Sequence, residues 1–237
     1  IQVDLRTVTD KEFPYALYYF TGSKEHNVTV RTFAKKTGYK INEYGVFKNK
    51  KLVPCKTEAD IFRLFKFEYI PPELRENSGE LDAASQGRIP VLVSEKDIRG
   101  VFHVHTTESD GIHSLEEMVR RAAACGYEYI GISDHSKSAP YANGLSEERI
   151  KRQREAINRL QKKMKQIRIF HGIESDILAD GSLDYSDKVL AGFDFVIGSV
   201  HSRFSMPEKE MTARICRAIE NPYMTFLGHS SGRLLLG

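Results

Sequence analysis

Apolar and polar positions along this chain follow one rhythm before about residue 98 and another after it. Residues 1–6 alternate, with Ile1, Val3 and Leu5 set against Gln2, Asp4 and Arg6, the period of a half-exposed strand. Residues 13–20 are aromatic-rich and run into the turn Thr21-Gly22-Ser23. Residues 27–37 read as a helix ended by Gly38, with Lys35 and Lys36 in a last turn where cations suit the helix dipole. Thr57 is placed to cap a short helix over 61–64. Pro71-Pro72 stops any helix, and 77–88 is rich in Gly, Ser and charge. With little there to bury, residues 77–97 are read as a linker.

Beyond it, strand-like and helix-like runs alternate. An apolar strand over 101–105 leads to Ser114-Leu115-Glu116-Glu117, a capping box, and a helix that runs to Gly126. A strand over 129–133 follows. Ser146 then caps a long charged helix over about 147–166, with Ile150, Ile157, Leu160 and Met164 at helical spacing. Strands over 167–174, 193–200 and 224–227 are separated by helices near 185–191 and 208–220. This alternation predicts an α/β fold with parallel strands under covering helices. If such a sheet closes it makes a distorted barrel, with its chemistry at the C-terminal strand ends.

Composition narrows this only slightly. The 237 residues are 41% hydrophobic and 28% charged, ordinary for a globular protein. The formal charge of +3 is compatible with a phosphate-bearing partner but too small to argue for one. No unbroken apolar run approaches the ~18 residues of a membrane span. The scattered cysteines Cys55, Cys125 and Cys216 form no CxxC pair and read as reduced thiols. The chain starts inside an apolar run at Ile1 and stops within Leu234-Leu235-Leu236-Gly237. It is therefore read as a piece of a longer protein.

The candidate chemistry lies at the strand ends. Histidine or glutamate closes or follows one apolar run after another: His103 and His105, then His135, Glu174, His201 and His229, with Asp110 just after the first pair. Side chains two apart on a strand share a face, about 6.6 Å along the rise, so His103 and His105 are expected to reach one ion together. Imidazole suits Zn2+, Mn2+ and iron, and a carboxylate such as Glu174 can bridge two ions. A single strand-end histidine is usually a satisfied structural residue, but five strand ends in succession are not. His113 is expected in solvent and His171 on the opposite strand face. Asp134 reads as a partner behind the ligands or a helix-side group, and Asp176 and Asp180 as loop carboxylates.

With these motifs in hand, residues 98–237 resemble a PHP (polymerase and histidinol phosphatase) domain. The resemblance implies a distorted (β/α)7-type barrel and up to three ions, Mn2+ or Zn2+. His103, His105 and Glu174 would hold the first ion. Glu174, His201 and His229 would hold the second, and Asp110 and His135 the third. Glu174 and His201 would also serve catalysis. The family's closing Asp-x-His pair should lie downstream, so the domain is expected to be C-terminally incomplete here. Arg203 is a candidate phosphate contact or simply a solvated arginine, and Lys137 a weaker one.

Val3-Asp4-Leu5-Arg6, Tyr19-Phe20-Thr21-Gly22-Ser23, Asn27 and Ile41-Asn42-Glu43-Tyr44 resemble the end of a family X DNA polymerase of the DNA polymerase beta type, as do Asp60-Ile61-Phe62 and Tyr69-Ile70-Pro71-Pro72. The resemblance implies that residues 1–12 end the polymerase palm and 13–76 form a small α+β, nucleotide-binding terminal subdomain. Asp4 would be one of three catalytic carboxylates binding Mg2+, the other two lying upstream of Ile1. The piece alone would then lack polymerase activity. Tyr19 and Phe20 would line the sugar pocket, although without the resemblance core packing is the favoured reading of both. Gly22 would allow close backbone approach, and Asn27 would reach the base. Together the two resemblances imply a prokaryotic, cytoplasmic, nucleoid-associated repair polymerase with a metal-dependent 3′–5′ exonuclease. Its partners would be DNA and deoxynucleotide triphosphates, with neither a membrane nor an obligate protein partner implied. A small-molecule phosphoesterase of the histidinol-phosphatase type shares the same ligands but leaves residues 1–76 unexplained. A non-catalytic DNA-binding module would not need the ligands at all.

Overall fold

A computed structural model describes residue 3 and residues 5–230. The chain divides into two compact units, residues 1–92 and 93–237. Of the strand expected over residues 1–6, Ile1, Gln2 and Asp4 lie outside the described residues, and Val3, Leu5 and Arg6 are exposed and in no strand.

The first unit is built from α1 (Phe13–Thr21), α2 (Lys24–Lys36), a three-stranded antiparallel sheet of β1 (Tyr39–Asn42), β2 (Gly45–Lys48) and β3 (Lys51–Val53), and α3 (Glu58–Leu64). Ser23 caps α2, its hydroxyl accepting from the His26 amide at 3.1 Å. The Thr57 amide donates to Asp60 at 2.9 Å where α3 begins. Tyr15, Tyr18, Val30, Ile41, Val46, Phe62 and Ile70 form the core. The stretch read as linker belongs partly to this unit. Residues Glu80–Ser85 form α4, with Ala84 in the core and Glu80 buried against His26. A six-residue helix that buries one alanine and one glutamate leaves almost no apolar trace in a sequence.

The second unit is a parallel sheet, β4 (Gly100–Val104), β5 (Tyr129–Ile132), β6 (Arg168–Asp176), β7 (Phe195–Ser199) and β8 (Phe226–Leu227), hydrogen-bonded in sequence order. Helices α5 (Leu115–Ala124), α6 (Glu147–Lys163), α7 (Asp187–Leu190) and α8 (Glu208–Ile219) fall between the strands. Neighbouring strands in unbroken order curl into an arc, and the described residues form such a half-barrel. The α5 capping box is present: the Ser114 amide donates to Glu117 at 2.8 Å. Ile130, Ile132 and Ile169 pack against Val119, Ile157 and Leu160 on the helix side. On the other face, Phe102, Tyr129, Phe170, Phe195 and Phe226 interlock ring to ring. Gly172 makes room for this layer, since a Cβ there would lie 2.3 Å from the Phe195 ring. Glu174 follows two residues on, on the same face, and so stands above an aromatic floor.

Candidate metal centre

The centre is arranged around one carboxylate. Glu174 is 1% exposed. Its Oε1 lies 2.9 Å from His103 Nε2, 3.0 Å from His229 Nε2 and 3.2 Å from His201 Nε2. Its Oε2 lies 3.1 Å from His135 Nδ1 and 3.3 Å from His105 Nε2. Asp110 closes the outer side, 3.6 Å from His105 Nδ1 and 3.6 Å from His135 Nε2. All seven strand-end groups predicted from the sequence therefore meet at one place.

Their grouping differs from the expected one. His103, Glu174 and His229 bring donor atoms within 4.8 Å of one another, and so do His105, His135 and Glu174. His103 and His105 thus fall in different groups. The reason is a bulge: the β4 register shifts between Val101 and Val104, and His103 has φ of 63°. That rotates His103 out of the two-residue repeat. His229 and Arg203 also have positive φ, 28° and 56°, a conformation uncommon outside glycine.

Charge is finely balanced here. Burial alone would raise the Glu174 carboxyl, but hydrogen bonds from His103 and His201 outweigh it and hold the group well below the usual carboxylate range. His105 is pushed down, first by burial and then by neighbouring His135. His201 is raised to about 9 by its hydrogen bond to Asp176, then by that to Glu174.

Asp176 was not expected here. It is the last residue of β6 rather than a loop residue, and it accepts from His201 Nδ1 at 2.7 Å. This fixes the ring so that Nε2 faces Glu174. A signal did exist: Asp176 is two residues from Glu174, on the same strand face. Asp180 is in a turn, where it accepts from the Ser182 hydroxyl at 2.7 Å. His113 is exposed. His171 is fully buried away from the centre, 3.0 Å from Gln153.

The donor set fits divalent metal. His105 Nδ1 is buried without a hydrogen-bond partner, and His135 Nδ1, although 3.1 Å from Glu174 Oε2, is not directed into a hydrogen bond, a costly state unless something else coordinates these atoms. A carboxylate ringed by five imidazoles is the nitrogen and oxygen set that borderline divalent ions take. Arg203 is exposed in the loop after β7. Lys137 stacks over the Tyr185 ring at 5.1 Å.

In the first unit, Tyr19 is half-buried and Phe20 is 58% exposed, their rings edge to face at 5.1 Å. Tyr19 and Phe20 are thus at the surface rather than in the core. A Cβ on Gly22 would sit 3.0 Å from the His26 ring. The Asn27 side chain, expected to project toward a base, is turned inward. It donates to the carbonyls of Tyr19 at 2.9 Å and Gly22 at 3.2 Å, tying the turn together.

A curled parallel sheet with histidines and buried carboxylates at its strand ends defines the class, a half-barrel metal-site protein. The chain belongs to the PHP family, whose domain model matches residues 102–232. A second family model, DNA polymerase beta thumb, matches residues 16–76. DNA polymerase/3'-5' exonuclease PolX of Bacillus subtilis is 40% identical over 235 residues, 98% of this chain and 41% of that protein. Repair DNA polymerase X of African swine fever virus is 42% identical over 76 residues, 31% of this chain and 44% of the viral protein. A probable phosphatase of Acetivibrio thermocellus is 30% identical over 134 residues, 54% of this chain and 52% of that protein. The chain spans about half or less of the length of each of these relatives.

Proposed function

We propose that this chain is part of a family X DNA repair polymerase whose PHP domain is a metal-dependent 3′–5′ exonuclease. The observation that carries this reading is the joint presence of a polymerase thumb and six groups gathered around Glu174 in one chain. Bound divalent ions, Mn2+ or Zn2+, would supply Lewis acidity toward a phosphodiester. His103, His105, Asp110, His135, Glu174, His201 and His229 would hold up to three of them. Asp176, accepting from His201 Nδ1 at 2.7 Å, would keep the His201 Nε2 lone pair aimed at a bound ion. Arg203 would contact a neighbouring phosphate.

In the first unit, Tyr19, Phe20 and Gly22 would meet a deoxynucleotide, with Asn27 shaping their turn. Asp4 would be one carboxylate of the polymerase Mg2+ site. DNA and deoxynucleotide triphosphates are the proposed substrates, and the cytoplasm of a prokaryote the proposed setting. Among the described residues no helix is long and apolar enough to cross a membrane.

The test uses the full-length protein on a primed duplex, with histidinol phosphate as the rival substrate. His103→Ala or Glu174→Ala is expected to cut nuclease activity at least 100-fold while primer extension persists. Faster turnover of histidinol phosphate than of DNA would favour the phosphatase relatives and overturn this reading. So would unchanged nuclease activity in both variants.

A further inference from the structure

A buried polar chain crosses the otherwise apolar layer between the sheet and α6. At its inner end is the Asp134 carboxylate, fully buried. It accepts from the Thr106 amide at 2.7 Å, the Thr106 hydroxyl at 2.8 Å, the Ser109 hydroxyl at 2.5 Å and the Gln153 amide nitrogen at 2.6 Å. Thr106 follows His105 and Ser109 precedes Asp110. Asp134 thus pins both ends of the loop that carries two of the candidate metal ligands.

Gln153 is the one donor that comes from outside this loop. It is 3% exposed and sits on the buried stripe of α6 with Ile150, Ile157 and Leu160. With its NH2 given to Asp134, its carbonyl must face the other way. There His171 Nε2 lies at 3.0 Å. Burial, then the nearby Arg154, lower the His171 pKa to about 3, so the ring is neutral and carries one proton. Only Nε2–H can donate to the Gln153 carbonyl, which settles the tautomer. His171 is itself tied to β7, its amide donating to Asp194 at 2.7 Å. The reverse amide orientation would set a carbonyl against the Asp134 carboxylate.

A polar chain in an apolar layer is costly unless its members are paired, so this one needs a reason to be there. We propose that Gln153 and His171 are positioning residues for the metal centre, acting through Asp134 to hold His105 and Asp110 in ligating position. The inference rests on the metal reading above. It assigns the two donor groups different sensitivities. The His105–His135–Asp110 side depends on Gln153, whereas the His103–Glu174–His229 group, on β4, β6 and the segment after β8, does not.

The test is Mn2+ titration of the full-length protein, followed by electron paramagnetic resonance, with the two classes of site assigned by Asp110→Ala and His229→Ala. Gln153→Met, which keeps the volume, is expected to weaken Mn2+ about 10-fold on the Asp110 side and to leave the His229 side unchanged. His171→Leu should weaken the same side by a smaller factor, and His171→Gln, which can still donate to Gln153, should restore it. Circular dichroism melting accompanies each variant. Unchanged Mn2+ affinity in Gln153→Met and His171→Leu would overturn the relay and leave the metal centre standing. Equal weakening of both sides would overturn it too, because that is the signature of general loosening. A wild-type protein that takes up no Mn2+ would remove the metal reading itself, and the relay with it.

Discussion

His26 and Glu80 show how far two residues can tie stability to pH. His26 is fully buried, and its Nδ1–H donates to Glu80 Oε1 at 2.6 Å. Burial pushes the His26 pKa below its ordinary 6.5, its largest effect, against the pull of Glu80. Burial would raise Glu80, but hydrogen bonds from His26 and the Asn77 and Ser78 amides carry it below its ordinary 4.5. Both folded-state values are depressed, so both contributions are complete at neutral pH and are lost on acidification. The loss begins as pH falls through 6.5, where unfolded His26 takes up its proton more readily, and continues below 4.5 through Glu80. The urea midpoint of the first unit should therefore fall steadily from pH 7.5 to 4, and His26→Gln should flatten the upper part of that fall. A midpoint that rises between pH 7 and 5 would contradict the assignment. The motif residues were readable from the sequence at this scale because metal-binding chemistry restricts residue type. The turn-tying contacts of Asn27 were not readable, because they depend on the carbonyls of Tyr19 and Gly22 folding back over it.

Helices and turns in the first unit are stapled by Arg75, which is fully buried. Its Nη1 lies 2.7 Å from Glu58 on α3 and 2.5 Å from the Thr21 hydroxyl on α1, and its Nε donates to the Ile70 carbonyl at 2.9 Å. The guanidinium also sits 5.2–5.6 Å from the rings of Phe62, Tyr18 and Tyr69. Arg75→Met leaves Glu58 nearly buried without its cation. It should cost about 3 kcal/mol of unfolding free energy, read by denaturant unfolding; a loss under 1 kcal/mol would show that the staple is idle. Helix starts were legible at this scale where Thr57, Ser114 and Ser146 advertise their caps, whereas α2 begins at Lys24 behind Ser23, three residues before the helix expected from 27. The β2–β3 hairpin was not. Its turn uses Asn49 and Lys50 at φ 49° and 65°, without the glycine that usually marks such a turn. Strand β6 runs two residues past the apolar run over 167–174, so Asp176 ends a strand instead of sitting in a loop.

For the molecule as a whole, the second unit gathers five histidines around the buried Glu174 carboxylate. Ligand that binds only the folded state stabilises it by mass action. Mn2+ at about 100 times its Kd should add about 2.7 kcal/mol. Calorimetry should show a melting transition that rises with Mn2+, returns on chelation, and loses this response in Glu174→Ala. A transition indifferent to Mn2+ would count against a resident metal.

The change of rhythm between the two parts, the strand-helix alternation and the seven groups around the centre are all written in local sequence. Each depends on a local period or on a residue type with few uses. Folding in three dimensions sets which histidines share a carboxylate oxygen, that Asp176 orients His201, and that Gln153 and His171 stand behind His105 and Asp110. Those relations join residues 18 to 71 positions apart, and one of them turns on a single bulged residue, His103. Distance along a chain carries no record of such meetings. They arise when five strands curl and bring their ends to one side.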